Sequence, residues 1–196
     1  MDRETYLRRL GDDLEPGGRD PAPSSLRVVQ QFVNTYNHEL GDEHDRLRST
    51  DEAREWLIEH SLLEPARRLT ADDLKLLRSL RETMRALAGL KGDQARTAFQ
   101  NSSGDLGGVI RLNVVIASDG RVRLEPMGDV VEHIAGSLLV IVHEAMLTGG
   151  WSRMKLCRQC SWLFFDHSRN RSGSWCAMAV CGNRAKNRAY RERTGG

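Results

Sequence analysis

Four cysteines stand close together near the end of the 196-residue chain, as Cys157, Cys160, Cys176 and Cys181, in the pattern C-x2-C-x15-C-x4-C. A C-x2-C pair lets two thiolates meet one ion, and the x15 gap leaves room for a hairpin that brings the second pair round. Thiols in a cytoplasmic protein stay reduced, so a metal suits these four better than two disulfides do. Tetrahedral Zn²⁺ would close the site and supply folding free energy to a segment too small to build an adequate core alone. An iron–sulfur cluster is the competing occupant, but the neighbouring Arg158, Arg169 and Arg171 suit a polyanion better than electron transfer. A closed shell of four thiolates leaves no position for substrate or water, which argues against an enzyme.

The charge around the cysteines is as uneven as their spacing is regular. Residues 151–196 carry 10 Lys and Arg against 2 Asp and Glu, whereas residues 1–150 carry 19 against 25, for a net +2 overall. A basic segment that also holds three of the four tryptophans is an electrostatic footprint for nucleic acid. Trp162 to Asp166 reads as a short aromatic strand covering the metal, and Arg169 to Ser174 as a basic turn. After Cys181, alanines at 185 and 189 with no proline favour a helix. On it Arg184, Arg188 and Arg191 share one face, and Lys186 and Arg193 another. Knuckle, hairpin and a helix starting at the second ligand pair outline a treble clef.

The elements that must carry this finger lie upstream. Residues 11–25 are rich in proline and glycine and hold no apolar stripe, so residues 1–24 read as a flexible arm. Leu26, Val29, Phe32, Val33 and Tyr36 then recur at helical spacing. Ser49 and Glu52 form a capping box for a helix through Trp56 ending near Leu63, and Thr70 opens another that runs to Gly92. Beyond a glycine-rich turn at residues 104–108, alternation over 109–116 and 122–124 predicts a β-hairpin. Val130 to Ala145 predicts a long helix ending at Gly149-Gly150. The reading is α+β: a helix-rich domain over 25–150 with one small antiparallel sheet, followed by a treble-clef-like zinc finger over 151–196. Asn34 and Arg81, polar residues on otherwise apolar helices, are candidates for a ligand pocket, with a cap or an internal salt bridge as the alternative. His143-Glu144 lacks the second histidine of a zinc-protease helix, position 147 being Leu. The longest apolar run, Leu138 to Val142, is far below the ~20 residues of a membrane span. The charged start MDRETYLRRL contains no signal-like apolar core, so a cytoplasmic protein without a membrane anchor is expected.

The stretch CRQCSWLFFDHSRNRSGSWCAMAVCGNRAKNRAYRER resembles the CGNR zinc-finger family through Cys181-Gly182-Asn183-Arg184, Phe165-Asp166, Ser168-Arg169-Asn170, Trp175-Cys176 and Met178. The family's usual basic pair before the tryptophan is here Gly173-Ser174. Upstream, Phe32-Val33-Asn34-Thr35, the Trp56-Leu57 helix and the Leu80-Arg81-Glu82 helix are similar to the ABATE domain of stress-induced transcription regulators. The resemblance implies bacterial transcription regulation around one structural zinc ion. With the charge pattern, it points to a protein that binds duplex DNA in the nucleoid. Arg184, Asn187, Arg188 and Arg191 are the expected groove contacts. Lys186, Arg193, Arg169 and Arg171 are the expected backbone contacts. The acidic N-terminal domain would sense a small-molecule effector or form a homodimer. Two alternatives remain: an RNA-binding or ribosome-associated module that stacks bases on Trp162, Phe164, Phe165 and Trp175, and a structural zinc domain for protein contacts.

Overall fold

A computed structural model describes Glu15 and residues 18–89 and 110–194. The first part of the expected arm, the end of the third helix at Leu90 to Gly92, the turn at 104–108 and the first residue of the hairpin lie outside these residues. The order of elements is α1 (Leu26–Val33), a 3-10 turn (Asp42–His44), α2 (Thr50–Glu59), α3 (Ala71–Gly89), β1 (Arg111–Ile116), β2 (Val122–Met127), α4 (Val130–Leu147), β3 (Met154–Leu156), β4 (Leu163–Phe165), a π-helical turn (Met178–Gly182) and α5 (Asn183–Thr194). The fold is α+β, with two antiparallel two-stranded sheets, β1–β2 and β3–β4.

Local chemistry explains most helix ends. Ser49 caps α2 at the expected position: its Oγ accepts from Glu52 N–H and donates to the Glu52 carboxylate. The helix stops at Glu59 rather than Leu63, because Ser61 takes a left-handed φ of 56° and Leu62 N–H turns back to Leu57 C=O. Thr70 and Asp73 cap α3 reciprocally, and Asp129 and Glu132 do the same for α4. The period at Leu26 to Tyr36 continues past the end of α1 at Val33. Thr35 N–H and Oγ both bond to Phe32 C=O there, and Asn34 turns away to another partner.

One core unites the chain. Val29, Phe32 and Val33 of α1, Leu77, Leu80 and Met84 of α3, and Ile134, Leu138 and Val142 of α4 pack together. The same cluster includes Trp151, Met154, Leu163 and Phe165 from the finger. The composition changes at residue 150, but the core crosses it. By length and composition α4 is the one described helix apolar enough to span a membrane, with a mean hydropathy of 1.6. Polar Glu132, His133 and Ser137 before Leu138, and His143 and Glu144 after Val142, confine its longest uninterrupted apolar run to Leu138–Val142. Here Val131, Ile134, Ala135, Leu138, Val142 and Ala145 face the core. His143 is exposed on the same helix.

Candidate metal centre and nucleic-acid interface

The knuckle is the tip of the hairpin. The sequence reading places the hairpin between the two cysteine pairs. In the fold, β3 precedes Cys157 and β4 follows Cys160, with Met154 opposite Phe165, Lys155 opposite Phe164 and Leu156 opposite Leu163. The cause is the alternation Met-Lys-Leu, which matches Leu-Phe-Phe across the turn and sends Met154 and Phe165 into the main core. Ser161 N–H returns to Cys157 C=O at 2.9 Å, and Cys157 N–H to Trp162 C=O at 2.9 Å, so the backbone curls around the first two sulfurs.

All four cysteines are buried and unlinked, and their Sγ atoms lie within 4.8 Å of one another. Cys160–Cys176, Cys176–Cys181 and Cys160–Cys181 are each 3.6 Å apart. Zinc–sulfur bonds of about 2.3 Å give a tetrahedron with edges of about 3.8 Å, so Cys160, Cys176 and Cys181 match one face of a ZnS₄ site, with Cys157 Sγ within 4.8 Å of each. Packed this closely they cannot ionise independently: hydrogen bonds from Cys160 and the other thiols hold Cys157 down, while Cys157 pushes Cys160 and Cys176 up. The four hold one structural zinc ion, which neutralises thiolates that could not otherwise coexist. Phe164 and Trp162 pack on the sulfurs, with Trp175 and Val180 beside them. Alternation along this strand therefore divides two cores, with Trp162 and Phe164 toward the metal and Leu163 and Phe165 toward the helices.

The second ligand pair closes through a π-helical turn. Cys181 N–H and Gly182 N–H both reach Ala177 C=O, at 2.9 and 3.1 Å. A Cβ on Gly182 would stand 2.3 Å from Met178 Sδ and 3.2 Å from Trp175 Cδ1, so a side chain there would displace the half-exposed Met178 side chain. From this knot α5 leaves the body with no residue buried.

The basic turn is organised by a buried acid. Asp166 accepts from Lys155 Nζ at 2.6 Å, Ser168 N–H at 3.0 Å and Gly173 N–H at 2.8 Å. Burial alone would raise its pKa, but the ammonium and the N–H donors outweigh it and hold the carboxyl well below the usual range. A Cβ on Gly173 would meet Asp166 Oδ1 at 2.7 Å, so the departure from a basic pair at this position matches a loop drawn in tightly on the acid. Arg169 and Arg171 project outward from this loop and are exposed; Arg171 also donates to Ser152 Oγ at 3.1 Å.

The two residues expected to line a ligand pocket have internal roles. The Asn34 amide makes a two-way bond with the backbone of Leu163, donating to its C=O and accepting from its N–H, both at 2.8 Å. Arg81 grips Asp45 with both nitrogens, at 2.6 and 3.0 Å, and adds Thr35 Oγ1 at 3.2 Å. Both are positioning groups: Asn34, with Gln30 beside it, pairs the buried outer edge of β4 from 129 residues away, and Arg81 fixes the loop after α1.

Three residues that hold the seam escape a sequence reading. Arg85, on the buried face of α3, donates to Ser161 C=O in the knuckle at 3.0 Å and to Val33 and Tyr36 C=O at the end of α1. It thus satisfies helix-end carbonyls and the metal turn together. The available signal is the pair Arg81 and Arg85, one turn apart on an apolar face. Arg19 lies 4.7 Å over the Phe164 ring and donates to Phe165 and Trp175 C=O. Glu15 is buried against Trp162 Nε1–H at 3.1 Å. At these described positions the expected arm is a strap packed on the finger.

On α5 the face carrying Arg184 and Arg188 turns toward the body at its base. Arg184 pairs with Glu39 at 2.8 Å, and Arg188 bonds the side chain of Gln159. Lys186, Asn187, Arg191 and Arg193 are exposed, with Tyr190 among them 62% accessible.

Fold and site together define an α+β protein closed by a zinc finger with four cysteine ligands. Comparison with family models assigns residues 153–194 to the CGNR zinc finger. Residues 26–136 match the ABATE model, described as a putative stress-induced transcription regulator. The chain therefore belongs to the ABATE family and carries its zinc finger at the C-terminal side. No protein of curated function matches it. Both matched families are of regulator and zinc-finger type, not of enzymes.

Proposed function

We propose that this zinc-binding regulator binds duplex DNA in the cytoplasm, at the nucleoid, through α5 and the turn around Asp166. The observation that carries the reading is α5 itself: five Lys and Arg, one Glu and no buried side chain in twelve residues. A helix polar on every side gains nothing from packing on its own domain. Held at its N-terminal end by the metal knot, it presents cations to a polyanion whose counterions it can release. Lys186, Asn187, Arg191 and Arg193 are the contacts available without rearrangement. Arg184 and Arg188 would exchange Glu39 and Gln159 for phosphate or base edges. Arg169 and Arg171 would add phosphate contacts from the loop. The N-terminal domain would serve as the regulatory half, through an effector or a second copy.

Titration of duplex DNA over a salt series tests this. The triple variant Lys186→Ala, Arg191→Ala, Arg193→Ala should keep its zinc and helicity while the log–log salt slope falls by ~2–3, about 0.9 per lost phosphate contact. An unchanged slope would remove α5 from the interface. Tighter binding of single-stranded RNA in the same series would favour the RNA reading instead, since Trp175 is partly accessible beside the knot.

A further inference from the structure

The C-terminal end of α3 approaches the finger, and the two enclose a cleft of about 450 Å³, within the range of small-molecule sites. Leu87 of α3 lines it from one side, and Trp151, Met154 and Leu156, ahead of the knuckle, from the other. Its polar lining includes Arg158, which stands inside the C-x2-C pair, and Ser174.

The other cations around this seam have partners. Arg153 donates to Asp166 and Ser168 C=O, Lys155 to the Asp166 carboxylate, Arg171 to Ser152 Oγ and Arg85 to Ser161 C=O. Arg158 differs: its side chain has neither a hydrogen bond nor an ion pair among the described residues. Its backbone N–H is tied to Ser174 C=O at 3.1 Å, which fixes the root of the side chain beside the cleft. A guanidinium offers paired donors that match a carboxylate or phosphate in plane. Of the two cations in the lining, Lys155 is held by Asp166 and Arg158 alone is unpaired among the described residues; apolar walls with one such cation describe a receptor for an anion on an apolar body.

We propose that this cleft is a binding site for a small organic anion, its carboxylate or phosphate on Arg158 and its apolar body against Leu87, Trp151, Met154 and Leu156. Such a ligand touches the ABATE-matched helix and the zinc knuckle at once, so it bridges the two parts of the chain at their seam. The site stands on the cleft and its unpaired cation, and does not depend on nucleic-acid binding.

The test uses the full-length, zinc-loaded protein, with phenyl phosphate as probe and benzamide as its neutral counterpart. Binding is followed by the NMR signal of the Trp151 indole N–H. Phenyl phosphate should shift that signal saturably, with a dissociation constant below about 1 mM, and benzamide should bind at least ~10-fold more weakly. Arg158→Ala should weaken phenyl phosphate ~10-fold and leave benzamide unchanged. Arg121→Ala, which removes an equal charge from the exposed β1–β2 turn outside the cleft lining, should match the wild type. Arg158 is exposed, and zinc content with the remaining indole signals reports whether the variant is folded. Failure to saturate, equal affinity for the two probes, or wild-type binding by Arg158→Ala would each overturn the proposal.

Discussion

Strand β4 and helix α5 flank the second pair of cysteines and share one metal knot, yet they stand in opposite relations to the rest of the chain. Leu163 and Phe165 of β4 lie in the main core, Phe164 lies on the sulfurs, and Asn34 pairs with the strand's backbone. Helix α5 buries nothing and meets the body through the side chains of Arg184 and Arg188. The finger is therefore not a module appended by a linker. Its first half is a wall of the N-terminal domain, and its second half is a cationic rod whose base the metal holds. Changes in β4 should register as stability, and changes in α5 as affinity.

The strongest way to break this contrast is to remove the metal. If the finger were independent, Cys176→Ser or chelation would unfold it and leave the helical domain intact. Because Met154, Leu163 and Phe165 belong to the shared core, loss of zinc should lower the main melting transition as well. Structural zinc carries ~10–16 kcal/mol of binding free energy in small fingers. A loss of only ~4 kcal/mol at the seam would already lower Tm by ~8–16 °C in a domain of this size. Calorimetry with zinc quantified in the same samples checks this. Two separate transitions, the helical one unmoved, would show that the core does not couple across residue 150.

Asn34→Ala cuts the seam without touching the metal. It leaves Leu163 N–H without a side-chain partner, and Leu163 C=O with only the longer bond from Gln30 Nε2 at 3.3 Å, at a cost of ~1–3 kcal/mol. Asn34→Asp should be nearly as costly, since a carboxylate can accept from Leu163 N–H but cannot donate to its C=O. Urea denaturation measures both. DNA affinity per folded molecule should stay unchanged in either variant, because Asn34 lies at β4 rather than α5. A variant that unfolds no more easily yet loses DNA affinity would reverse the roles assigned to the two regions.

How much of this is legible in the sequence follows from the range of each interaction. The four ligands are readable because C-x2-C is local and chemically narrow. Caps such as Ser49–Glu52 are readable because three residues separate the partners. The bond from Asn34 to Leu163 spans 129 positions, and that from Arg85 to Ser161 spans 76. Nothing in the pattern around Asn34 says whether its amide meets a ligand or a strand. The hairpin is misplaced in the sequence reading for a related reason: Met-Lys-Leu is too short to stand out until Leu-Phe-Phe pairs with it. Arg184 and Arg188 fall on one helical face by spacing alone, but which way that face turns depends on Glu39 and Gln159, distant in the chain.

A subtler probe of the same contrast is pH, through the strap that covers β4. Glu15 is buried beside Trp162, and burial raises its pKa from 4.5 to about 7; the Trp162 N–H, Arg19, Arg27 and Gln30 only partly offset it. A carboxyl whose folded pKa lies above its unfolded value binds more protons when folded. Its contribution to stability is complete below pH 4.5 and is lost as pH rises through about 7. The loss is of order 1–3 kcal/mol, since each unit of difference is worth ~1.4 kcal/mol. Glu15→Gln keeps an acceptor for Trp162 Nε1–H and cannot ionise, so its stability should not show this decline. Urea midpoints of both proteins at about pH 5 and pH 8 give the comparison, the difference between them cancelling the other titrating groups. Because the strap lies on Trp162 and Phe164 and not on α5, zinc-loaded Glu15→Gln should bind DNA as the wild type does at either pH. If the two proteins kept the same stability difference at both pH values, Glu15 would not be a buried, protonated clasp on the finger.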